Sequence, residues 1–301
     1  MNVLSLFDGI SCGQIALERA GIKVDNYFAS EIDKHAIKVT QHNYPSTIQL
    51  GDVTKIDCSS LPKIDLLLGG SPCTDFSFAG NRKGMITKNN EEITDLARYL
   101  ELKAEGFEFQ GQSYLFYEYV KILNDVKPTY FLLENVKMAK KWQKVISDTL
   151  GCEPILINSA LVSAQNRKRL YWTNIPNVTQ PEDKGIVLND IINFDLIEYK
   201  IPANYHIRVP KSLPLFVAPY DRKEVKNNKS ITLTTNVHNG NLWIKTKDGY
   251  RNLTRNETEE LQTIKHGYTD IVSECIAKKC LSNGWTVDVI VHIFQGLKKN
   301  F

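Results

Sequence analysis

Several features that would assign this chain to a class are missing from its 301 residues. No apolar stretch approaches the roughly 20 residues needed to span a bilayer, and the N-terminal segment MNVLSLFDGI reaches Asp8 too early for a signal peptide. The six cysteines form no CxxC pair and no cluster with histidine at zinc-finger spacing, so we expect neither a metal site nor a disulfide framework. Repeats and low-complexity tracts are also absent. We therefore expect a cytoplasmic globular protein with no membrane partner.

The charge is small overall but unevenly placed. The formal net charge is +3, yet residues 199–255 hold eleven Lys or Arg against three Asp or Glu. Charge alone leaves two interpretations open, a solvated basic face or a surface for a polyanion.

Strand-like and helix-like patterns alternate through the first 175 residues. Apolar runs at 3–7, 26–32, 46–53, 63–70 and 129–136 predict strands, and patterns at 12–21, 33–44, 114–126 and 138–151 predict helices. This alternation predicts an α/β fold with a doubly wound, mostly parallel sheet. The polar segment 85–113 is expected to be a long loop or a mobile helical excursion. Residues 177–271, with several prolines and short β-type pieces such as 230–236 and 241–246, predict a smaller, β-containing second domain.

Polar and glycine-rich stretches follow the predicted strands, at the edge of the sheet where ligands bind. Gly9 and Gly13 lie in a turn between a strand and a helix, and their spacing is not GxGxxG, which disfavours a nicotinamide site. Glu31, 22 residues after Gly9, could accept hydrogen bonds from ribose hydroxyls, and Asp52 could accept one from an adenine amino group. Together they indicate a nucleoside cofactor.

A second group of strand-end residues indicates covalent chemistry. Cys73 follows Pro72 directly after a predicted strand, which is where a thiol of lowered pKa could act as a nucleophile. Glu134 ends another strand and could act as an acid. In QNRKR, the side chains of Arg167 and Arg169 share one face of a strand, a pairing that suits an anionic substrate.

Six stretches occur in an order that resembles the DNA (cytosine-5)-methyltransferases. FDGISCG is similar to the cofactor loop of that family, SPCTDFS to its catalytic Pro-Cys motif, ENV to the motif with its glutamate, and QNRKR to its QxRxR motif. RNLTRNETEELQ and SNGWTVDVI resemble its last two motifs, and the wording is closest to the animal de novo branch. The resemblance implies a Rossmann-like class I methyltransferase domain at 1–176 and 272–301 and a target-recognition domain at 177–271. It also implies double-stranded DNA as the partner of a monomeric bacterial or phage enzyme.

The resemblance further implies a role for each matching residue. The thiolate of Cys73 would add to C6 of a cytosine flipped out of the duplex, and Glu134 would protonate or hydrogen-bond N3. Arg167 would hold the base, with Arg169 in a more structural role. S-adenosyl-L-methionine would be the methyl donor. Its expected binding residues are Phe7, Asp8, Gly9, Ile10, Cys12, Glu31, Ile32, Asp52, Val53, Gly70, Pro72, Asn283, Gly284 and Trp285.

Two departures from the family pattern and two alternatives accompany this interpretation. The cofactor loop reads ISCG where many members have a glycine pair, and LTR stands where LTP is common. A tRNA cytosine-5 methyltransferase of the same fold and an inactive DNA-binding relative are the alternatives. Methylation of an exocyclic amino group is disfavoured, because the chain has no Pro-Pro-Tyr/Phe motif of the type those enzymes use.

Overall fold

The computed structural model describes residues 1–72, 76, 84–194, 215–218, 223–236, 241–246 and 249–298. In this part of the chain, seven strands form the main sheet in the order β3-β2-β1-β4-β7-β9-β8. The first five pair in parallel, and β9 is antiparallel to both β7 and β8. The predicted doubly wound, mostly parallel sheet is thus confirmed. Its strands are β1 (Asn2–Leu6), β2 (Asn26–Ser30), β3 (Ile48–Gln49), β4 (Leu66–Gly69), β7 (Tyr130–Val136), β8 (Ile155–Asn158) and β9 (Lys168–Thr173).

Helices cover both faces of this sheet. Strand residues alternate between the two cores: Leu132 packs on one face and Leu133 on the other. The first face carries α1 (Cys12–Arg19), α2 (Lys34–Asn43), α8 (Glu274–Asn283) and α9 (Val287–Phe294), and the second carries α4 (Phe116–Val126) and α5 (Lys140–Leu150). The third strand is shorter than its predicted range of 46–53 because the chain turns at Gly51, whose φ is 73°. In the part of the chain that is described, no helix is both long and apolar enough to cross a bilayer.

The segment 85–113 packs on α4; it is not a long loop, and of the two expectations the helical one agrees with the helix that it contains. It contains β5 (Ile86–Thr87), α3 (Leu96–Ala104) and β6 (Phe109–Gln110). The carboxylate of Glu118, on α4 and 2% exposed, accepts a hydrogen bond from the Tyr99 hydroxyl at 2.5 Å and forms an ion pair with Lys103. The polar sequence of this segment did not predict the packing, because its main contact is with a charged residue that is buried on the neighbouring helix.

A second, antiparallel sheet of four strands lies in the described part of the region after residue 214. Its order is β11-β10-β12-β13. The strands are β10 (Phe216–Ala218), β11 (Lys223–Glu224), β12 (Trp243–Thr246) and β13 (Gly249–Asn252), and α6 (Leu188–Ile191) and α7 (Arg255–Leu261) pack on the same core. Residues 230–236, expected to be β-type, form only an isolated bridge at Ser230 to Gln165. The exact boundaries of the two domains stay a prediction.

Candidate active site

A strained loop at the carboxyl end of β1 forms one side of the candidate site. Phe7 and Ser11 have φ angles of 57° and 58°, and Gly9 between them has 59°, so the chain turns repeatedly through the left-handed region. Such conformations at non-glycine residues cost about 1–3 kcal/mol each and occur mostly at functional sites. The Tyr268 hydroxyl donates to the carbonyl oxygen of Ile10 at 2.7 Å, which anchors the loop to the C-terminal part of the chain. The loop therefore has the strain and the support of a ligand-binding turn.

Glu31, at the end of β2, lies against this loop. Its Oε2 accepts from the Gly9 amide at 2.8 Å, while Oε1 accepts from the amides of Ile32 and Asp33 at 2.8 Å. The side chain of Ile32 is 73% exposed, an unusual degree for an isoleucine next to a polar crevice. The predicted cofactor residues Gly9, Glu31 and Ile32 are thus brought together at adjacent strand ends.

Asp8 is a partly buried carboxyl that accepts side-chain hydrogen bonds. The Tyr27 hydroxyl donates to Oδ1 at 2.8 Å, and the Ser11 hydroxyl donates to Oδ2. Burial raises the pKa of Asp8 to about 6, and the charge of Glu31 acts in the same direction, against the hydrogen bonds from Ser11, Ser5 and Tyr27. The sequence did not predict a role for Tyr27. It lies in an apolar strand, and no local pattern indicates that its hydroxyl contacts a carboxyl at the end of the neighbouring strand.

Asp52 and Val53 form the third part of this side. Asp52 Oδ1 accepts from the amide and the hydroxyl of Thr54, both at 2.9 Å. The backbone hydrogen bond holds the pKa of Asp52 below its usual range. Val53 is buried in the core beneath. Because β3, β2 and β1 are neighbours in the sheet, Asp52, Glu31 and Asp8 follow one another along a single edge.

The other side of the site is centred on Glu134 in β7. The carboxyl is 8% exposed, and its Oε1 lies 2.9 Å from Nε of Arg169 in an ion pair. Oε2 accepts from the indole Nε1 of Trp285 at 3.2 Å. Strand pairing explains the contact with Arg169. Arg169 on β9 lies opposite Val136 of β7, and Val136 is two residues from Glu134 on the same face of the sheet.

Arg167 has a different environment from Arg169. It is 3% exposed, and its Nη2 donates to the carbonyl oxygens of Ser282 at 3.1 Å and Gly284 at 2.8 Å. The structure thus joins QNRKR to the segment Asn283–Trp285, which connects α8 to α9. The roles we expected for the two arginines stay predictions; the guanidinium of Arg169 lies at the Glu134 carboxylate, in the ion pair described above.

The Pro-Cys segment is described only in part, and the predicted nucleophile Cys73 lies outside the described residues. Just before it, the side chain of Asn135 donates to the carbonyl oxygen and the hydroxyl of Ser71, at 3.2 and 3.1 Å. The carbonyl oxygen of Pro72 accepts from the Ser113 hydroxyl at 3.3 Å. Asn135 adjoins Glu134, so one strand both carries the carboxyl and fixes the chain leading to the cysteine.

Two further cofactor candidates, Cys12 and Gly284, pack behind the strained loop. Cys12 is 4% exposed, and burial raises the pKa of its thiol to about 12, which makes it an inert packing residue. A Cβ on Gly284 would lie 3.1 Å from its sulfur. Gln262 was missed by sequence reasoning: its amide donates to the carbonyl oxygens of Leu281 and Gly284, at 2.6 and 3.1 Å.

The main sheet with its two helical layers is the Rossmann-like fold of class I methyltransferases. The Dnmt2 methyltransferase of S. pombe has the same fold, with a TM-score of 0.68 at 17% identity, covering 100% of this chain and 99% of that one.

The family described as C-5 cytosine-specific DNA methylase matches residues 1–211, and the chain belongs to this family. The orphan methyltransferase M.Rho11sI of Bacillus phage rho11s is 33% identical over 209 residues, 64% of this chain and 37% of that protein. The orphan methyltransferase M.SPRI of Bacillus phage SPR is 35% identical over 188 residues, 58% of this chain and 38% of that protein. The chain spans less than half the length of these two phage relatives.

Proposed function

We propose that this protein is a DNA (cytosine-5)-methyltransferase that uses S-adenosylmethionine. The observation that carries the proposal is the pairing of Glu134 with Arg169 at 2.9 Å, directly behind the anchored Pro-Cys segment. Membership of the family and the phage relatives named as orphan methyltransferases support the same reaction.

The reaction needs a group that makes C5 of cytosine nucleophilic. The thiolate of Cys73 adds to C6, and the electron pair of the 5,6-double bond moves toward C5, with charge shared toward N3. Glu134 donates a proton or a hydrogen bond to N3, which stabilises that charge. General acid help of this kind typically accelerates a reaction about 10²–10⁴-fold. After C5 has gained the methyl group, loss of the C5 proton re-forms the double bond and expels the thiolate.

Arg169 is the arginine that we assign to the base. Its Nε already pairs with Glu134 and its side chain is only 13% exposed, so its charge acts in a low-dielectric pocket. Arg167 donates to two main-chain carbonyls behind that pocket. In this arrangement Arg169 orients Glu134 and the base edge, and Arg167 supports the cofactor-side segment.

The acidic edge of the sheet fits S-adenosylmethionine. The cofactor supplies an electrophilic methyl group when bound, and it carries an ammonium and a sulfonium charge. Asp8 fits the ammonium group, Glu31 the ribose hydroxyls and Asp52 the adenine amino group, because the three carboxylates follow one edge in that order. The exposed side chain of Ile32 offers an apolar face to the adenine ring.

A cleft in the second domain supports duplex DNA as the partner. It has a volume of about 500 Å³, and its lining includes Asn166, Lys223, Lys226 and Thr232. Lys223 and Lys226 in this lining are exposed beside one exposed acid, Glu224, and Asn166 immediately precedes Arg167 in the sequence. Phosphate contacts from such lysines would position a duplex while one nucleotide is flipped out.

Methyl transfer from tritiated S-adenosylmethionine tests the proposal. We expect label on C5 of cytosine in unmethylated duplex DNA and none on tRNA. Label on tRNA alone would show that tRNA, and not DNA, is the substrate. No label on either would favour the inactive relative. Duplexes with 5-fluorocytosine should trap a covalent adduct, because fluorine blocks the final elimination. The Cys73→Ala protein should form no adduct, and Cys275→Ala, at an exposed position, is the matched control. Bisulfite sequencing of DNA from expressing cells would then identify the target sequence.

A further inference from the structure

The indole of Trp285 lies between the cofactor loop and the catalytic carboxyl. A Cβ added to Gly13, in the first turn of α1, would lie 3.6 Å from Cζ3 on one edge of the ring, which is an ordinary van der Waals distance. A Cβ added to Gly70, directly after β4, would lie 3.1 Å from Nε1 on the opposite edge. The absence of a side chain at Gly70 therefore leaves room for the ring.

The ring donates a hydrogen bond to one oxygen of a carboxyl whose other oxygen is in an ion pair. Nε1 of Trp285 donates to Oε2 of Glu134 at 3.2 Å, and Nε of Arg169 lies 2.9 Å from Oε1. The two partners belong to segments more than a hundred residues apart in the chain. Because Oε1 accepts no hydrogen bond from the described residues, the indole N–H is the directional contact that orients this carboxyl.

The main chain next to Trp285 is itself held firmly. The carbonyl oxygen of Gly284 accepts from Nη2 of Arg167 at 2.8 Å and from Nε2 of Gln262 at 3.1 Å. The hydroxyl of Thr286, on the other side, donates to Oε1 of Gln262 at 2.8 Å. The indole is therefore a fixed donor, whose position depends on QNRKR and on α7.

We propose that Trp285 is a positioning residue for Glu134, an inference that rests on the proposed function. Its N–H sets the orientation in which the carboxyl meets N3 of cytosine. Because Trp285 belongs to the segment that also lines the cofactor side, the same contact couples that segment to the base pocket. This role differs from simple packing against the cofactor, which needs the ring but not its N–H.

Nuclear magnetic resonance of the indole groups tests the contact without any activity. The chain has four tryptophans, so ¹⁵N-indole labelling yields four N–H signals, and Trp285→Phe assigns the one of interest. We expect Glu134→Gln to shift the Trp285 signal and to leave the Trp172 signal unchanged, since Trp172 donates to Ser147 on the other face of the sheet. An unchanged Trp285 signal would overturn the proposal.

Kinetics test the positioning role. Trp285→Phe keeps a ring and removes the N–H, and we expect kcat to fall about tenfold or more, the effect of losing a hydrogen bond to a charged group. The dissociation constant of S-adenosylhomocysteine should change less than about threefold. Benzothienylalanine at position 285, which replaces only the N–H by sulfur, should reproduce the loss even if Trp285→Phe folds poorly. A normal kcat for that isostere would refute the role.

A double-mutant cycle separates action through Glu134 from a general structural effect. In the Glu134→Gln background, Trp285→Phe should cause little further loss of the residual single-turnover rate, and a full additional tenfold loss would contradict the proposal. Trp172→Phe, which removes an indole N–H from the opposite core, should lower stability and leave kcat near its original value. If the wild-type protein transfers no methyl group to cytosine, the proposed function fails, while the resonance shift still decides whether Trp285 holds Glu134.

Discussion

Asp8→Asn should stabilise the cofactor-free protein at neutral and alkaline pH. Asp8 has a pKa raised from 3.8 to about 6, chiefly by burial, so the folded protein favours its neutral form. Because the carboxyl pKa is raised on folding, the stability that the neutral Asp8 side chain contributes is fully present below pH 3.8 and is lost as the pH rises through about 6. At 1.36 kcal/mol per pKa unit, the ionised side chain costs about 3 kcal/mol of unfolding free energy. Asparagine preserves an acceptor for the Tyr27 hydroxyl and never pays this cost.

Urea unfolding at two pH values measures the effect. At pH 8 the Asp8→Asn protein should exceed the wild type by at most about 3 kcal/mol, since the side chain is partly exposed, and at pH 5 the gain should be about half as large. Calorimetry should show the opposite trend for the cofactor, whose ammonium group loses its anionic partner, with affinity lowered about tenfold or more.

A matched control has the same chemical change and the opposite sign. Asp52→Asn removes a carboxylate whose pKa is lowered by the Thr54 amide, so this substitution should slightly destabilise the protein, with the difference vanishing at low pH. An increase in unfolding free energy for Asp8→Asn that is equal at pH 5 and pH 8, or a decrease at pH 8, would refute the assignment of a destabilising buried charge to Asp8.

Three further predictions concern other contacts. Arg169→Lys should lower kcat about tenfold or more, because lysine lacks the planar guanidinium that forms the ion pair with Glu134, whereas Arg167→Lys should mainly raise the KM for the cofactor; the reverse pattern in steady-state kinetics would exchange their roles. Lys229 donates to three main-chain carbonyls, so Lys229→Met should lower the free energy of unfolding in urea by about 1–3 kcal/mol. Lys226→Ala, at the exposed rim of the cleft, should leave stability unchanged and reduce the slope of log binding constant against log salt concentration for DNA by about one. Equal effects of the two substitutions on stability would contradict this division. Glu118→Gln should speed limited proteolysis within residues 85–113, because the ion pair to α3 is lost; an unchanged cleavage rate would show that other contacts hold the segment.

Much of the fold and the acidic edge were predictable because both follow from local patterns. Alternating strands and helices indicate a parallel sheet, and the ends of parallel strands meet at one edge, so Gly9, Glu31 and Asp52 could be grouped from spacing, while Asp8 was added by the family resemblance. The capping box of α7 is equally local: the side chain of Thr254 accepts from the amide of Glu257, three residues later in the chain.

The division between Arg167 and Arg169 could not be read from the sequence. Alternation along the strand places the two side chains on one face. Arg167 binds the carbonyl oxygen of Ser282, 115 residues away in the chain, and Arg169 is the one that reaches Glu134. The basic excess of 199–255 is not all on the surface of the second domain. Arg251 forms a pair with Glu257 at 2.7 Å, with both side chains at most 4% exposed, so part of the positive charge serves the core of the second domain.

The cofactor side of the proposed site is acidic, whereas the base side holds a paired charge, Glu134 with Arg169 at 2.9 Å. A cofactor with ammonium and sulfonium groups would be attracted by Asp8 and Glu31, and a base that gains negative charge during thiolate addition would be stabilised near Arg169. The indole of Trp285 lies near Gly13 of α1 and donates to the carboxyl of Glu134, so one side chain contacts both sides of the site. A larger or charged side chain at this position would therefore disturb both binding steps at once, which is why the loss of the N–H alone is the more informative perturbation.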